Sequence, residues 1–191
     1  QAMRPRVGRI LAIDDLAGRP HACDALLDQN FSLEGEQRHA ATVPADCRLM
    51  VGPRHALLRP EFAQLRSGAR ESAGVRRIFV FFGGTDPGDM TGRVLDALSH
   101  EEFAGLELDL MVGANYRQRE ALETRAKARP HTRLHAATSR VAELMHESDL
   151  AIGAGGGTTW ERMCLGLPTI LVSIAENQAA ACRDLATAGL A

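Results

Sequence analysis

From about residue 75 onward, short apolar runs alternate with stretches of helix-forming residues. Residues 78–82 (IFVFF) form a continuous β-rich run closed by Gly83 and Gly84. MTGRVLDALS follows, with Val94, Leu95 and Leu98 at helical spacing. LELDLMV (106–112) alternates and predicts a strand, and YRQREALETRAKA predicts a helix that Pro130 stops. TRLHAA is a short strand, and SRVAELMHES places Val141, Leu144 and Met145 on one helical face. LAIGA, a helix opening near Thr158, TILVSI and NQAAACRDLATAG complete the series. Apolar strands alternating with helices predict an α/β, Rossmann-like parallel sheet with helices on both faces. Such sheets bind ligands at the carboxyl ends of their strands, where the glycine clusters of this chain fall.

The first 70 residues are less regular. RILAID (9–14), CDALLDQN and RLMVG each hold a strand, and LRPEFAQLRSGARESAG begins amphipathic and ends small and polar. These features predict a hinge between about Phe62 and Val75, which divides residues 1–70 from residues 71–191.

The chain has 191 residues, 45% hydrophobic and 24% charged, with a formal net charge of −2. That composition can build a real core and lacks the basic excess of a dedicated nucleic-acid binder. No apolar run reaches the roughly 20 residues that span a bilayer. The four cysteines, Cys23, Cys47, Cys164 and Cys182, show no CxxC pair and no histidine at metal-ligand spacing. A reducing, cytoplasmic setting with no metal is the expectation. His21, His39, His55, His131, His135 and His146 show no nucleophile partner and are expected to pack or lie at the surface.

Two glycine loops carry the candidate chemistry. In FFGGTDPG (81–88), Gly83 and Gly84 either make a turn or point backbone N–H groups at a ligand. Thr85 and Asp86 are placed to cap the following helix, and Pro87 suits its first turn. Gly155, Gly156, Gly157 and Thr158 open another helix, a setting that suits a phosphate. No Gly-Lys-Ser/Thr follows, so this is not an NTPase loop. Glu161 has two readings: the acidic member of a Thr158-x-x-Glu161 capping box, or an acceptor for ribose hydroxyls. Asn177 and Gln178 sit after another strand, where amides could bind sugar hydroxyls or cap the last helix.

DDLAGRPHACDALLDQN, HALLRPEF, FFGGTDPG, SDLAIGAGGGTTWE and CLGLPTILVSIAENQ, in that order, resemble one family across nearly the whole chain. It is the UDP-2,4-diacetamido-2,4,6-trideoxy-β-L-altropyranose hydrolase family of pseudaminic acid biosynthesis. That family is similar to the lipid-II-forming N-acetylglucosaminyltransferases and has the two-domain GT-B architecture. The resemblance implies that Gly83, Gly84, Gly155, Gly156 and Gly157 meet the diphosphate, that Thr85 and Thr158 belong to the same substrate-binding set, and that Glu161 binds the ribose. It implies backbone contacts to uracil between Ala137 and Val141, and sugar contacts from Asn177 and Gln178. The implied reaction is water attack at the anomeric carbon with inversion, UDP leaving without a metal or other cofactor.

The family's first glycine-rich loop, with its water-activating histidine, has no counterpart in these residues. The expectation is therefore a fragment, the tail of the N-terminal α/β domain with the hinge over residues 1–70 and the UDP-binding domain over 71–191, with no catalytic residue of its own and Asn177 facing the sugar. On that expectation it binds UDP weakly or not at all and is inactive alone. Its ligand is a UDP-sugar, with no nucleic acid, and a monomer is favoured. Rival readings are a UDP-N-acetylhexosamine-dependent glycosyltransferase and a non-catalytic sugar-nucleotide-binding subunit.

Overall fold

The computed structural model describes residues 6–66 and 74–191, and the central part of the expected hinge lies outside them. The chain divides into two compact units, residues 1–57 with 179–190, and residues 58–178.

The first unit holds a three-stranded parallel sheet in the order β1-β2-β3, formed by Leu11–Ile13, Ala25–Asp28 and Arg48–Val51. Leu26, Leu27 and Val51 are buried with Leu185, which the last helix contributes. At the carboxyl end of β2 the buried Asp28 accepts from His39 Nε2 at 2.9 Å and from the Asn30 N–H at 2.9 Å. Asp14, at the end of β1, pairs with His21 at 2.9 Å. These two histidines, expected to be packing or surface residues, are held by carboxylates.

The second unit begins with α1 (Pro60–Leu65) and carries a five-stranded parallel sheet. Its strands are β4 (Arg77–Phe81), β5 (Glu107–Val112), β6 (Thr132–Ala136), β7 (Leu150–Ala154) and β8 (Thr169–Val172), in the order β6-β5-β4-β7-β8. Four helices join or follow them: α2 (Met90–Ala97), α3 (Arg119–Ala128), α4 (Val141–Glu147) and α5 (Thr158–Cys164). A sixth, α6 (Glu176–Thr187), starts in this unit, and most of it groups with the first.

Strand periodicity explains why the runs are apolar throughout. Ile78, Val80, Leu108, Leu110 and Ile152 point to one face, where Leu95 of α2 and Leu122 and Ala126 of α3 cover them. Phe79, Phe81, Met111 and Ala151 point to the other, against Phe62 of α1, Leu144 and Met145 of α4, and Leu165 and Leu167 after α5. Helices cover both faces, so the parallel, doubly covered α/β arrangement expected from the sequence is the one observed.

Two charged clusters close the sheet away from its carboxyl ends. Asp109, fully buried on β5, accepts from Arg133 at 2.9 Å and 3.1 Å and from His135 at 2.7 Å. Burial pushes its carboxyl pKa up, and the His135 and Arg133 hydrogen bonds more than offset this and hold it below the usual range. Arg129 donates instead to carbonyls: Phe103 at 2.7 Å, Leu98 at 2.9 Å, and Leu106 and Pro130 at 3.0 Å.

Gly113 follows β5 directly against the loop after β4. A β-carbon there would stand 2.2 Å from the Gly84 carbonyl oxygen and 2.5 Å from its Cα. Gly113→Ala is expected to destabilise the protein by about 1–3 kcal/mol in urea denaturation, because backbone must move to admit the methyl group. The lowered pKa of Asp109 sets a second expectation. Its contribution is complete above the ordinary aspartate pKa of 3.8 and is lost as pH falls through the lower folded value. Asp109→Asn should flatten the acid limb of the stability profile below about pH 4.

Candidate sugar-nucleotide site

The strand order reverses at β4, whose neighbours are β5 on one side and β7 on the other. The helix after β4 covers one face of the sheet and the helix after β7 covers the opposite face. The loops at these two strand ends therefore diverge and open a crevice at the carboxyl edge. Pairing registers place the strand ends at one level. Phe81 pairs with both Met111 and Gly153, Met111 with His135, and Gly153 with Leu171. Two residues beyond each pair stand Ala137, Gly113, Gly83, Gly155 and Ser173. A shelf of small residues thus runs across all five strands.

Gly83 holds φ +94°, which a residue with a β-carbon rarely adopts. Asp86 turns the chain with φ +36°; its buried carboxylate accepts from the N–H groups of Met90 at 2.9 Å and Thr91 at 2.8 Å and from the Thr91 hydroxyl at 2.7 Å. The expected cap at Asp86 exists but acts across a longer loop. The helix starts at Met90 with Asp89 as its N-cap, so Pro87 lies in the turn rather than in the first helical turn. Thr85 does not cap; it is exposed on the rim of a cavity of about 570 Å³ that Asn115, Arg117 and Gln118 also line. Asp89 is bound in turn by the Tyr116 hydroxyl, tying the loop after β4 to the loop after β5.

The second loop is shorter. The Gly155 N–H extends the sheet ladder to the Val172 carbonyl at 3.3 Å, and the Gly156 carbonyl accepts from Thr159 at 2.9 Å. Gly157 is the N-cap of α5 and makes no side-chain cap bond, and open space surrounds the place a β-carbon would take. Thr158 is the first helical residue, so the Thr158-x-x-Glu161 capping box is not formed. Glu161 instead stands 3.8 Å from Arg59, with 18% of its side chain exposed. Burial pushes its carboxyl pKa up, and the nearby Arg59 and Arg162 guanidinium groups only partly offset that. A half-buried carboxylate kept free of the helix end can accept hydrogen bonds from a ligand.

Gln178 accepts from the Ile174 N–H at 3.1 Å, and its Nε2 lies 3.7 Å from where a β-carbon on Gly156 would be. It braces the glycine turn. Asn177 is exposed and is the second residue of α6, so it does not cap that helix. Val141 turns its side chain into the core, which leaves backbone as its ligand-facing chemistry.

Sequence reasoning missed Arg162. It is fully buried beneath the glycine turn and donates to the Ala154 carbonyl at 2.7 Å and to the Thr159 hydroxyl at 3.1 Å. The available signal was Gly153, where a β-carbon would stand 2.3 Å from the Arg162 guanidinium. Among the described residues no group of three or more histidine, cysteine, aspartate or glutamate side chains could hold a metal ion. No helix among them is long and apolar enough to cross a membrane.

A parallel sheet with a switch-point crevice edged by glycine loops defines an α/β nucleotide-type binding domain. The glycosyltransferase family 28 C-terminal domain model matches residues 77–191, well over half of the chain, and the chain belongs to that family. The spore coat polysaccharide biosynthesis protein SpsG of Bacillus subtilis is 29% identical over 158 residues, covering 82% of this chain and 47% of SpsG. The resemblance expected from the motifs is also found. The UDP-2,4-diacetamido-2,4,6-trideoxy-beta-L-altropyranose hydrolase of Campylobacter jejuni is 26% identical over 181 residues, 95% of this chain and 63% of that protein. The crystal structure of Acinetobacter baumannii MurG superposes with a TM-score of 0.59 at 18% identity, covering 98% of this chain and 53% of that one. The Rossmann-like fold is shared with that structure. The chain spans between about half and two thirds of these three proteins.

Asp86→Ala should lower stability by about 1–2 kcal/mol in thermal or urea unfolding, the usual cost of losing a helix cap.

Proposed function

We propose that residues 58–178 bind the UDP part of a sugar nucleotide along the carboxyl edge of the five-stranded sheet. In this reading the complete protein hydrolyses a UDP-diacetamido-trideoxyhexose for surface polysaccharide biosynthesis. The observation that carries the proposal is the level shelf of small residues with the half-buried carboxylate of Glu161, which faces Arg59 at 3.8 Å, on the helix that follows it. A shelf without side chains lets a diphosphate approach backbone N–H groups, as in other switch-point sites.

The diphosphate rests on Gly83, Gly84 and Thr85 and on Gly155, Gly156, Gly157 and Thr158. Glu161 accepts from the ribose hydroxyls, the backbone from Ala137 to Val141 meets uracil, and Asn177 with Gln178 faces the sugar. Water attacks the anomeric carbon, that carbon inverts, and UDP departs. Backbone N–H groups stabilise the charge that develops on the leaving diphosphate, so no metal is required. The base that activates water lies outside the residues assigned here.

A second reading, transfer from UDP-N-acetylhexosamine to an acceptor, is favoured by the glycosyltransferase family match over residues 77–191. Release of free sugar with water alone supports hydrolysis, and release only with an added acceptor supports transfer. Activity that survives EDTA is expected.

The test of the site is a UDP titration of the protein expressed over its complete reading frame. Glu161→Ala should weaken UDP binding by about 1–3 kcal/mol, as loss of hydrogen bonds to a charged group does. Since Glu161 caps no helix, thermal stability should change little. Unchanged affinity would remove Glu161 from the ribose.

A further inference from the structure

The first unit contains a feature that sugar-nucleotide binding does not use. Cys47 immediately precedes β3 and Cys23 lies two residues before the neighbouring β2, and their sulfur atoms lie 3.6 Å apart. Backbone bonds pin both strand entries: the Asp24 and Ala25 N–H groups donate to Ile10 at 2.9 Å and 3.2 Å, Arg48 to Asp24 at 2.9 Å, and Cys47 to Pro44 at 3.0 Å. The register pairs Ala25 with Arg48, so Cys23 and Cys47 stand on adjacent chains one position out of step, close enough for their thiols to touch. A disulfide needs its sulfurs at about 2.05 Å, a closure that side-chain rotation can supply when the backbones are already neighbours.

We propose that Cys23 and Cys47 form a thiol–disulfide site that low-molecular-weight disulfides oxidise to an intramolecular cross-link. The two cysteines differ in access: Cys23 is buried at 2% exposure and Cys47 is partly exposed, so Cys47 meets the oxidant first. Its thiolate attacks one sulfur of the small disulfide and expels the other as a thiolate, leaving a mixed disulfide on Cys47. Cys23 then gives up its proton, its sulfur attacks the Cys47 sulfur, and the second small thiolate leaves. The two protein thiols lose two electrons between them. The small disulfide gains those electrons and takes up the two protons as two thiols.

Burial, followed by the hydrogen bond to Cys23, pushes the Cys47 thiol up to about 11. Attack requires the thiolate, so the reaction is slow at neutral pH and accelerates as pH rises toward that value. The cross-link closes a loop that contains β2 and the Asp28–His39 pair, so it restrains the unfolded chain and stabilises the first unit.

The test exposes the folded protein to oxidised glutathione over a pH series, alkylates the remaining thiols, and maps the peptides by mass spectrometry. The expected product joins the peptides of Cys23 and Cys47 with loss of two hydrogens, forms faster at higher pH, and raises the urea midpoint until dithiothreitol reverses it. Cys23→Ser should leave glutathione trapped on Cys47. The proposal is overturned if both cysteines are recovered alkylated. It is equally overturned if wild-type Cys47 keeps glutathione beside an unreacted Cys23, or if the link appears only in urea.

Discussion

The second unit depends on how closely backbone approaches backbone at the carboxyl end of β4. A β-carbon on Gly153 would stand 2.5 Å from the Phe81 carbonyl oxygen, and one on Gly113 would overlap the Gly84 backbone. Strands and loops close up there because no side chain keeps them apart. That closeness sets the shelf of small residues level across five strands, and it leaves room under the second loop for the buried Arg162. Elsewhere the sheet is filled on both faces by large apolar side chains. The contrast separates a packed body from a bare edge where polar backbone groups can face a ligand.

The two loops on that edge are held by different means. The loop after β4 is long and is organised by carboxylates, Asp86 on the helix N–H groups and Asp89 on Tyr116. The loop after β7 is short and is organised from beneath by a cation, with the Gln178 side chain standing beside it. Acidic groups are thus committed to structure on one side of the crevice. On the other side Glu161, poised against Arg59, is only partly engaged.

Much of the second unit was legible because fully buried parallel strands leave short, unbroken apolar runs. IFVFF and LAIGA could be placed from residue types alone, since nothing polar survives on either face. The site was harder to read. Thr158-x-x-Glu161 fits a capping box in sequence, yet the helix begins one residue earlier than the box requires, and Gly157 takes the cap position. Pro87 looked like a helix opener until the positive φ of Asp86 delayed the helix to Met90. Gly113 and Arg162 act on partners distant in sequence or concealed by the fold. An arginine beside a glutamate in a helix ordinarily reads as a surface pair, and only the missing side chain at Gly153 hints that it turns inward. In the first unit, the carboxylates that hold His21 and His39 come from neighbouring strand ends, which pattern alone does not join.

Arg129 anchors the opposite end of the same sheet in a different electrostatic currency. Its guanidinium is satisfied by carbonyl oxygens of Phe103, Leu98, Leu106 and Pro130, and among the described residues no carboxylate pairs with it. Carbonyls do not titrate, and bonds at contact distance are little affected by ionic screening. That corner should therefore keep its grip in acid, while the Asp109 cluster near the β6 edge loosens as its carboxylate is protonated. One sheet carries a conditional clamp and an unconditional one, which gives it a built-in order in which its strands let go.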